Sequence, residues 1–464
     1  MVLEIGLVVR KAIEVVWPGI KHRLSRDLLA GLMILVSSFT LVFYVETRYP
    51  QIYGIDGPYY LLQMKAIAST GWIEYPDPPL AFYMLYPFYL AGETLGVKAA
   101  VSFYVALTSL IIYRIYRHLG GGLCAALLAT LAFSASPYTL RLASDFLKNC
   151  LGLLFIASTL LVYSRERSTK ASTLMLLASI WATALTHILD FGVVCLMSWL
   201  ILVYTLIFDR SFQGSVKDAS ILALSSTATL AVLFAFPVAV GWDTGKIIGF
   251  VNDLMSTGYG VSPPIAARTF PIALLAVLAG LTAALSQLRG LTAGALAFSS
   301  SVTLVCMNLP LIPPSWLFRF QLMNSILIPL TAPMLLFNVK NRTVTVLVML
   351  AALAMSTPAL AATIPRLRPS IPQSEYDEIK TLGDLLPEGS KIVVPNTKLY
   401  YWVKLLLGDR YVVLKEPQPM EPAFIVLEKT RFKPRPVVRL KPIYIGHHLD
   451  VYLAPPKPPN PIGK

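Results

Sequence analysis

The sequence predicts a polytopic α-helical membrane protein with a small soluble α/β domain at its C-terminal end, on three observations. Hydrophobic residues make up 56% of the 464-residue chain and charged residues 14%, with a mean hydropathy of +0.65, far more apolar than an ordinary soluble domain. Apolar runs of spanning length recur between residues 28 and 363, each near the roughly 20 residues that a helix needs to cross a bilayer. After Ile364 the composition returns to that of soluble protein, with 16 Lys/Arg against 10 Asp/Glu from Pro365 to Lys464.

Residues 1–26 carry five Lys/Arg and an apolar face broken at Pro18, the pattern of an amphipathic helix lying on the cytoplasmic membrane surface. The apolar run that follows ends in FYVETRYP, without a small-residue cleavage site, which argues against a removed signal. About eleven spans are expected, near 28–45, 97–113, 121–138, 148–164, 171–187, 189–208, 219–240, 271–287, 291–308, 320–337 and 343–363, within a transmembrane domain over 27–363.

The ambiguous segment is 79–96, PLAFYMLYPFYLAGETLG, which is apolar but short and carries Pro87 in its middle. Charge bias decides it. If it does not cross, fifteen loop Lys/Arg fall inside and eight outside; if it crosses, eleven fall inside and twelve outside. Because cytoplasmic loops carry the excess of basic residues, 79–96 is read as a re-entrant or surface-lying segment. It then belongs to a first outer loop over 46–96, with the N-terminus inside and the C-terminus outside. A second long outer loop spans 241–270, an uncommon length unless the segment is functional.

From 364 to 454, short β-type runs (KIVVP, YVVL, AFIVLE, LDVYL) alternate with helix-type runs (SEYDEIKTLGDLL, KLYYWVKLLLG). This predicts one extracytoplasmic α/β domain, long enough for a modest core. The Pro-rich tail 455–464 is expected to be extended. The net charge of +14 does not point to nucleic acid, because the basic residues are scattered between apolar runs rather than gathered on one aromatic-interleaved face. The four cysteines show no CxxC spacing and form no metal site.

Ionisable groups are costly inside a bilayer, and the middles of the expected spans are almost devoid of them. They gather instead at the outer ends: Glu46, Asp56 and Asp77 in the first loop; Arg141, Asp145 and Lys148 in SPYTLRLASDFLKN; His187 and Asp190 in LTHILDFG; Asp243 and Asp253 in the second long loop; Arg319 in SWLFRF. One outward-facing polar cup is implied. His187 and Asp190, three residues apart and so near one helix face, are placed to hold an acceptor or a metal, or to be a histidine satisfied by a neighbouring helix. Trp242 and Tyr259 are placed to stack on sugar rings, or to belong to an interfacial aromatic belt.

GIDGPYYLLQMKAIASTGW, with an Asp soon after the first span, YPDPPLAFYMLYPFYLAGETLG, SPYTLRLASDFLKN and the C-terminal outer domain together resemble the GT-C class of membrane glycosyltransferases. That class contains the oligosaccharyltransferase catalytic subunit, the protein O-mannosyltransferases and the lipid A aminoarabinose transferase. The resemblance covers roughly residues 28–340 and implies a GT-C-like fold at the cell (plasma) membrane and an inverting transfer of a hexosyl or pentosyl unit. The resemblance implies a polyprenyl-phosphate-linked sugar as donor and a glycan, lipid or protein as acceptor. Asp56 matches the acidic residue of the first loop, as base or as ligand of metal or acceptor, and Arg319 the arginine facing the lipid-linked phosphate. A divalent metal, Mg or Mn, is a possible cofactor, with Asp56 and Asp145 as candidate ligands. The chain has no DxD or ExD pair around Asp56, and only Tyr400-Tyr401-Trp402 echoes a WWDYG-like motif, so transfer to asparagine in a sequon is not expected.

Such chemistry needs a carboxylate to take the proton of the attacking hydroxyl. Asp56 is the choice, with Glu46 or Asp77 as second carboxylate; the competing role for Asp56 is to shape an Asp-Gly-Pro turn. It also needs cations where the leaving phosphate gathers charge, for which Arg141, Lys148 and Arg319 are candidates; the competing role for these is interfacial snorkelling. Two other readings stand beside the enzyme: a multi-span lipid or polysaccharide transporter or flippase, for which neither repeats nor midplane charges are visible, and a non-catalytic scaffold displaying the C-terminal domain.

Overall fold

The computed structural model describes residues 26–165, 169–209, 214–237, 241, 244–256, 277–282, 284, 290–309, 312, 314–339, 341–416, 422–429, 440 and 442–454. The helices run α1 (Arg26–Glu46), α2 (Gly57–Thr70), α3 (Leu80–His118), α4 (Leu123–Ser134), α5 (Pro137–Asp145), α6 (Leu147–Ser164), α7 (Lys170–Thr186), α8 (Ile188–Phe208), α9 (Gly214–Ala235), α10 (Thr244–Ser256), α11 (Leu291–Met307), α12 (Pro314–Leu322), α13 (Asn324–Thr331) and α14 (Arg342–Thr363). Among the described residues, six helices are long and apolar enough to cross a membrane, or eight if each of two bent pairs is one span.

The difference from eleven has a local cause at each place. The α7 and α11 helices are 17 residues each, at the short end of what crosses, and most of 271–287 lies outside the described residues. The expected 121–138 and 320–337 helices are broken. The α4 and α5 helices meet at 45°, and Trp316–Leu322 meets Asn324–Phe337 at 42°. At the first break Ser136 caps α5, accepting the Tyr138 N–H at 3.2 Å ahead of Pro137, so a new helix starts instead of the old one continuing. The 79–96 segment is helical and runs through Pro87. Its break falls at Gly92 and Glu93, the latter at φ 44°, so the hinge of the segment is not its proline.

The bundle is held by close approach of small residues, as expected where lipid removes the hydrophobic drive between helices. Gly294 on α11 lies against the Tyr204 hydroxyl of α8, which donates to the Ala284 carbonyl at 2.7 Å. The α3 helix packs on α1, α4 and α6, and α6 packs on α7. The α14 helix differs. Among the described residues none of its most apolar stretch is buried.

The C-terminal segment forms α15 (Gln373–Leu385), β1 (Lys391–Val393), α16 (Thr397–Leu407), β2 (Val412–Leu414), β3 (Ala423–Glu428), β4 (Pro442–Ile445) and β5 (Leu449–Ala454). The strand order is β2-β1-β3-β5-β4, with β1 parallel to β2 and β3, and β5 antiparallel to β3 and β4. The β4 strand was not expected. It is four residues long and opens on a proline, which confines it to an edge. Ile379, Leu399, Trp402, Val403, Val426 and Val451 fill the core.

This unit is seated on the first loop. Arg48 donates to the carbonyls of Ile364 (2.5 Å) and Leu367 (2.7 Å), and Gln51 donates to Gln373 at 2.6 Å. Gly54 bridges Pro369. Lys65 pairs with Asp409 and Lys404 with Glu74, and Lys404 also donates to the Tyr75 hydroxyl at 2.8 Å.

Glu375, on the first turn of α15, is 3% exposed, and its Oε1 has no hydrogen-bond partner. Burial pushes its carboxyl from the ordinary 4.5 to about 7. The native state therefore keeps a proton that the unfolded chain has lost, and the resulting penalty grows from pH 4.5 to pH 7 and is constant above. Glu375→Gln should raise the thermal midpoint of this unit at pH 8 by about 4–8 °C for each kcal/mol relieved, and leave it nearly unchanged at pH 4. Calorimetry at the two pH values checks this.

Candidate active site at the loop end of the bundle

The first loop is built around Gln63 on α2. Its amide donates to the Tyr59 hydroxyl and the Tyr75 carbonyl, both at 2.9 Å, and its oxygen accepts the N–H groups of Glu74 (2.8 Å) and Tyr75 (3.0 Å). One buried side chain thus folds 71–79 back onto α2. Gly71 allows the reversal, closing the helix in the left-handed conformation at φ 81°. The fold-back delivers Asp77, 5% exposed, between the Tyr59 hydroxyl at 2.7 Å and the Lys148 ammonium, with which it forms an ion pair. Burial and then the Asp77 charge push the Tyr59 phenol well up, so it stays a donor at neutral pH.

Lys148 stands on the first turn of α6, just after the α5–α6 break. On the other side of that break Arg141 pairs with Asp145 and lies 5.8 Å over the Phe318 ring of α12. The backbone at Gly54 (φ 73°) presses so close to Asp145 that a Cβ there would meet its carboxylate at 2.7 Å. The loop residue before Asp56 by two therefore touches the helix that carries Arg141.

Asp56 precedes α2 in the helical region (φ −84°, ψ −8°). Its carbonyl accepts the Tyr60 N–H at 3.0 Å, and its side chain makes no capping hydrogen bond. The carboxylate is half-buried and acts electrostatically on Asp145, Tyr60 and Tyr401. Burial raises the Tyr60 and Tyr401 phenols, with the Asp56 charge the next cause for each. Tyr401, from the C-terminal unit, packs edge-on to Tyr59 with ring centroids 5.4 Å apart, and Lys415 lies 5.3 Å over its face.

Asp56, Asp77, Arg141, Asp145 and Lys148 therefore meet where the first loop, the α5–α6 break and α16 converge. Glu46 and Asp77 do not sit as spare carboxylates. Glu46 is 3% exposed, accepts the Ser144 hydroxyl at 2.5 Å and lies under the loop, while Asp77 is engaged by Lys148. Arg319 is exposed, 5.4 Å over the Trp316 ring, whose indole donates to Asp253 of α10 at 2.8 Å; it follows Phe318, which underlies Arg141. His187 and Asp190 lie at the α7–α8 junction, with His187 Nδ1 3.3 Å from the buried Asp190 and 2.8 Å from the Asn149 amide. Trp242 and Tyr259 lie outside the described residues. Tyr59 and Gln63 were not expected; the one signal for Tyr59 was the aromatic density of GPYYLLQ, while Tyr401 belongs to the Tyr400-Tyr401-Trp402 stretch noted in the sequence.

Among the described residues no three His, Cys, Asp or Glu side chains converge, and Asp145, one of the two candidate metal ligands, is paired with Arg141.

No family model matches the chain, and no curated protein matches it. Among solved structures it is similar to ArnT from Cupriavidus metallidurans in the apo state, at 14% identity and a TM-score of 0.43, covering 91% of this chain and 97% of that one. It is similar to the same protein bound to undecaprenyl phosphate at 14% identity and a TM-score of 0.42, with the same coverage. Similarity at that level bears on neither the chemistry nor the residues of the site.

The Asp77–Lys148 pair should be structural. Lys148→Ala strands a buried carboxylate, a loss of about 3–5 kcal/mol for a buried pair, and should expose the loop to protease. Asp77→Asn combined with Lys148→Gln should recover most of the resistance, which limited proteolysis in detergent would measure.

Proposed function

We propose that the protein is a membrane glycosyltransferase of the GT-C type. It would move a sugar from a polyprenyl-phosphate donor to an acceptor hydroxyl, with the cup on the extracytoplasmic face. The observation that carries this reading is the convergence of a half-buried carboxylate, Asp56, with two cations held in fixed positions by buried carboxylates, Arg141 by Asp145 and Lys148 by Asp77. A half-buried carboxylate beside paired cations suits the two ends of a displacement at an anomeric carbon.

In this reading Asp56 accepts the proton of the acceptor hydroxyl as its oxygen attacks the anomeric carbon. The bond from that carbon to the phosphate oxygen breaks, its electron pair leaving with the polyprenyl phosphate. Arg141 grips the phosphate through its planar guanidinium and Lys148 as a point charge. Both are fixed before charge develops, which is what makes such groups effective. Attack from the side opposite the leaving phosphate inverts the anomeric centre. Tyr401 supplies a hydroxyl donor to the sugar, and Tyr59, whose hydroxyl is given to Asp77, a ring face. The long apolar bundle around the cup suits a donor whose tail stays in lipid.

Transfer from radiolabelled polyprenyl-phosphate sugars to membrane-extract acceptors tests the reading. Asp56→Asn should lose about 10²–10⁴-fold in rate, the contribution of a positioned general base, with an unchanged melting profile. Arg141→Ala should lose rate and donor affinity together. Absence of transfer by the wild-type protein with every donor would reject the reading.

A further inference from the structure

We propose that His187 is a third donor to the phosphate of the lipid-linked substrate, aimed by Asp190, which acts as a positioning residue. The inference rests on the reading of the cup as a polyprenyl-phosphate site.

Asp190 is fully buried, on the first turn of α8. Its seat is specific. A Cβ at Gly152 of α6 would collide with its carboxylate, so the bare glycine backbone is what lets the side chain lie between the two helices. A buried carboxylate is costly unless it is matched, and neither Asp190 oxygen has a hydrogen bond from the described residues within normal geometry. The basic group nearest to it is His187, with Nδ1 at 3.3 Å. The Asn149 amide reaches the same ring nitrogen at 2.8 Å; with its oxygen turned toward the ring it accepts from Nδ1–H, the orientation the neighbouring carboxylate favours. Nδ1–H is thus engaged on two sides, and Nε2 donates in the imidazolium, the form in which both ring nitrogens are donors and which a carboxylate on one side and a phosphate on the other favour.

The His187 side chain is 23% exposed while Asp190 is 0% exposed, so the open part of the pair is the imidazole. Asn149 adjoins Lys148, whose charge acts on Asp190. The α6 start and the α7–α8 junction therefore bring Lys148 and His187 to one rim, each backed by a buried carboxylate, Asp77 and Asp190. Two backed donors side by side match an oxyanion with more than one acceptor oxygen, as the phosphodiester of the donor and the phosphate monoester that leaves from it both have.

Binding of undecaprenyl phosphate to the detergent-solubilised full chain, read by ³¹P NMR line width or microscale thermophoresis, tests this apart from catalysis. His187→Ala and Asp190→Asn should each weaken binding about ten- to a hundredfold, the loss of a hydrogen bond to a charged group. Gly152→Ala, which displaces Asp190, should weaken it similarly. His187→Gln, which keeps a side-chain donor, should restore part of the affinity, and a purely structural histidine would not show that rescue. If wild type binds and His187→Ala binds equally well at an unchanged melting temperature, the inference is overturned while the reading of the cup stands. If wild type itself does not bind, the reading of the cup fails with it.

Discussion

The arrangement of the cup depends on how charge is taken out of water at the end of an apolar bundle. A lone carboxylate or ammonium buried there would be prohibitively unstable, whereas a matched pair with satisfied hydrogen bonds is tolerable. Asp77 is 5% exposed and meets Lys148 and Tyr59; Asp145 is 7% exposed and meets Arg141. Each pair joins or faces different parts of the chain, so satisfying the charges also fixes geometry. The Asp77–Lys148 pair ties the loop after α2 to the start of α6. Gly54 pressed on Asp145 ties the loop before α2 to α5. Asp56, between these two anchors, inherits its position from both.

The C-terminal unit completes the same surface. Lys404 and Asp409 grip Glu74 and Lys65 on either side of the α2 fold-back, while Tyr401 reaches Tyr59 between them. The exposed ion pairs contribute little stability by themselves. The aromatic contacts bury far more area, and the Arg48 hydrogen bonds to two consecutive-turn carbonyls clamp the entry of the unit at Ile364 and Leu367. A sugar bound near Asp56 would touch residues that lie more than three hundred positions apart in the chain.

Much of this was legible in the sequence where a single physical limit governed the reading. A spanning helix must be long and apolar, so the unbroken ones, such as Arg26–Glu46 and Ile188–Phe208, could be read from the sequence. Polar groups are excluded from the membrane interior, so Asp56, Arg141 and Lys148 could be assigned to one level. Breaks were less legible, because a bend depends on what packs against it: the eye falls on Pro87, yet the helix bends at Gly92–Glu93, where Glu93 adopts a positive φ. The pairings were illegible. Asp77 finds Lys148 across 71 residues and Ser144 finds Glu46 across 98, and nothing in local periodicity distinguishes a carboxylate held by a lysine from one turned to solvent. The β4 strand escaped for a similar reason, since its pairing with β5 is what makes four residues after Lys441 a strand.

The α14 helix leads from the bundle to the C-terminal unit, yet among the described residues its apolar stretch is not buried by the rest of the protein. It touches α4 and α5, and most of its surface is otherwise open. A helix so lightly held can tilt to match the thickness of the bilayer at modest cost, while the seat of the C-terminal unit on the first loop is set by Arg48, Gln51 and Lys404. Differences in membrane thickness would then be absorbed by the inclination of one peripheral helix, leaving the spacing between Tyr401 and Asp56 unaltered from one lipid composition to another.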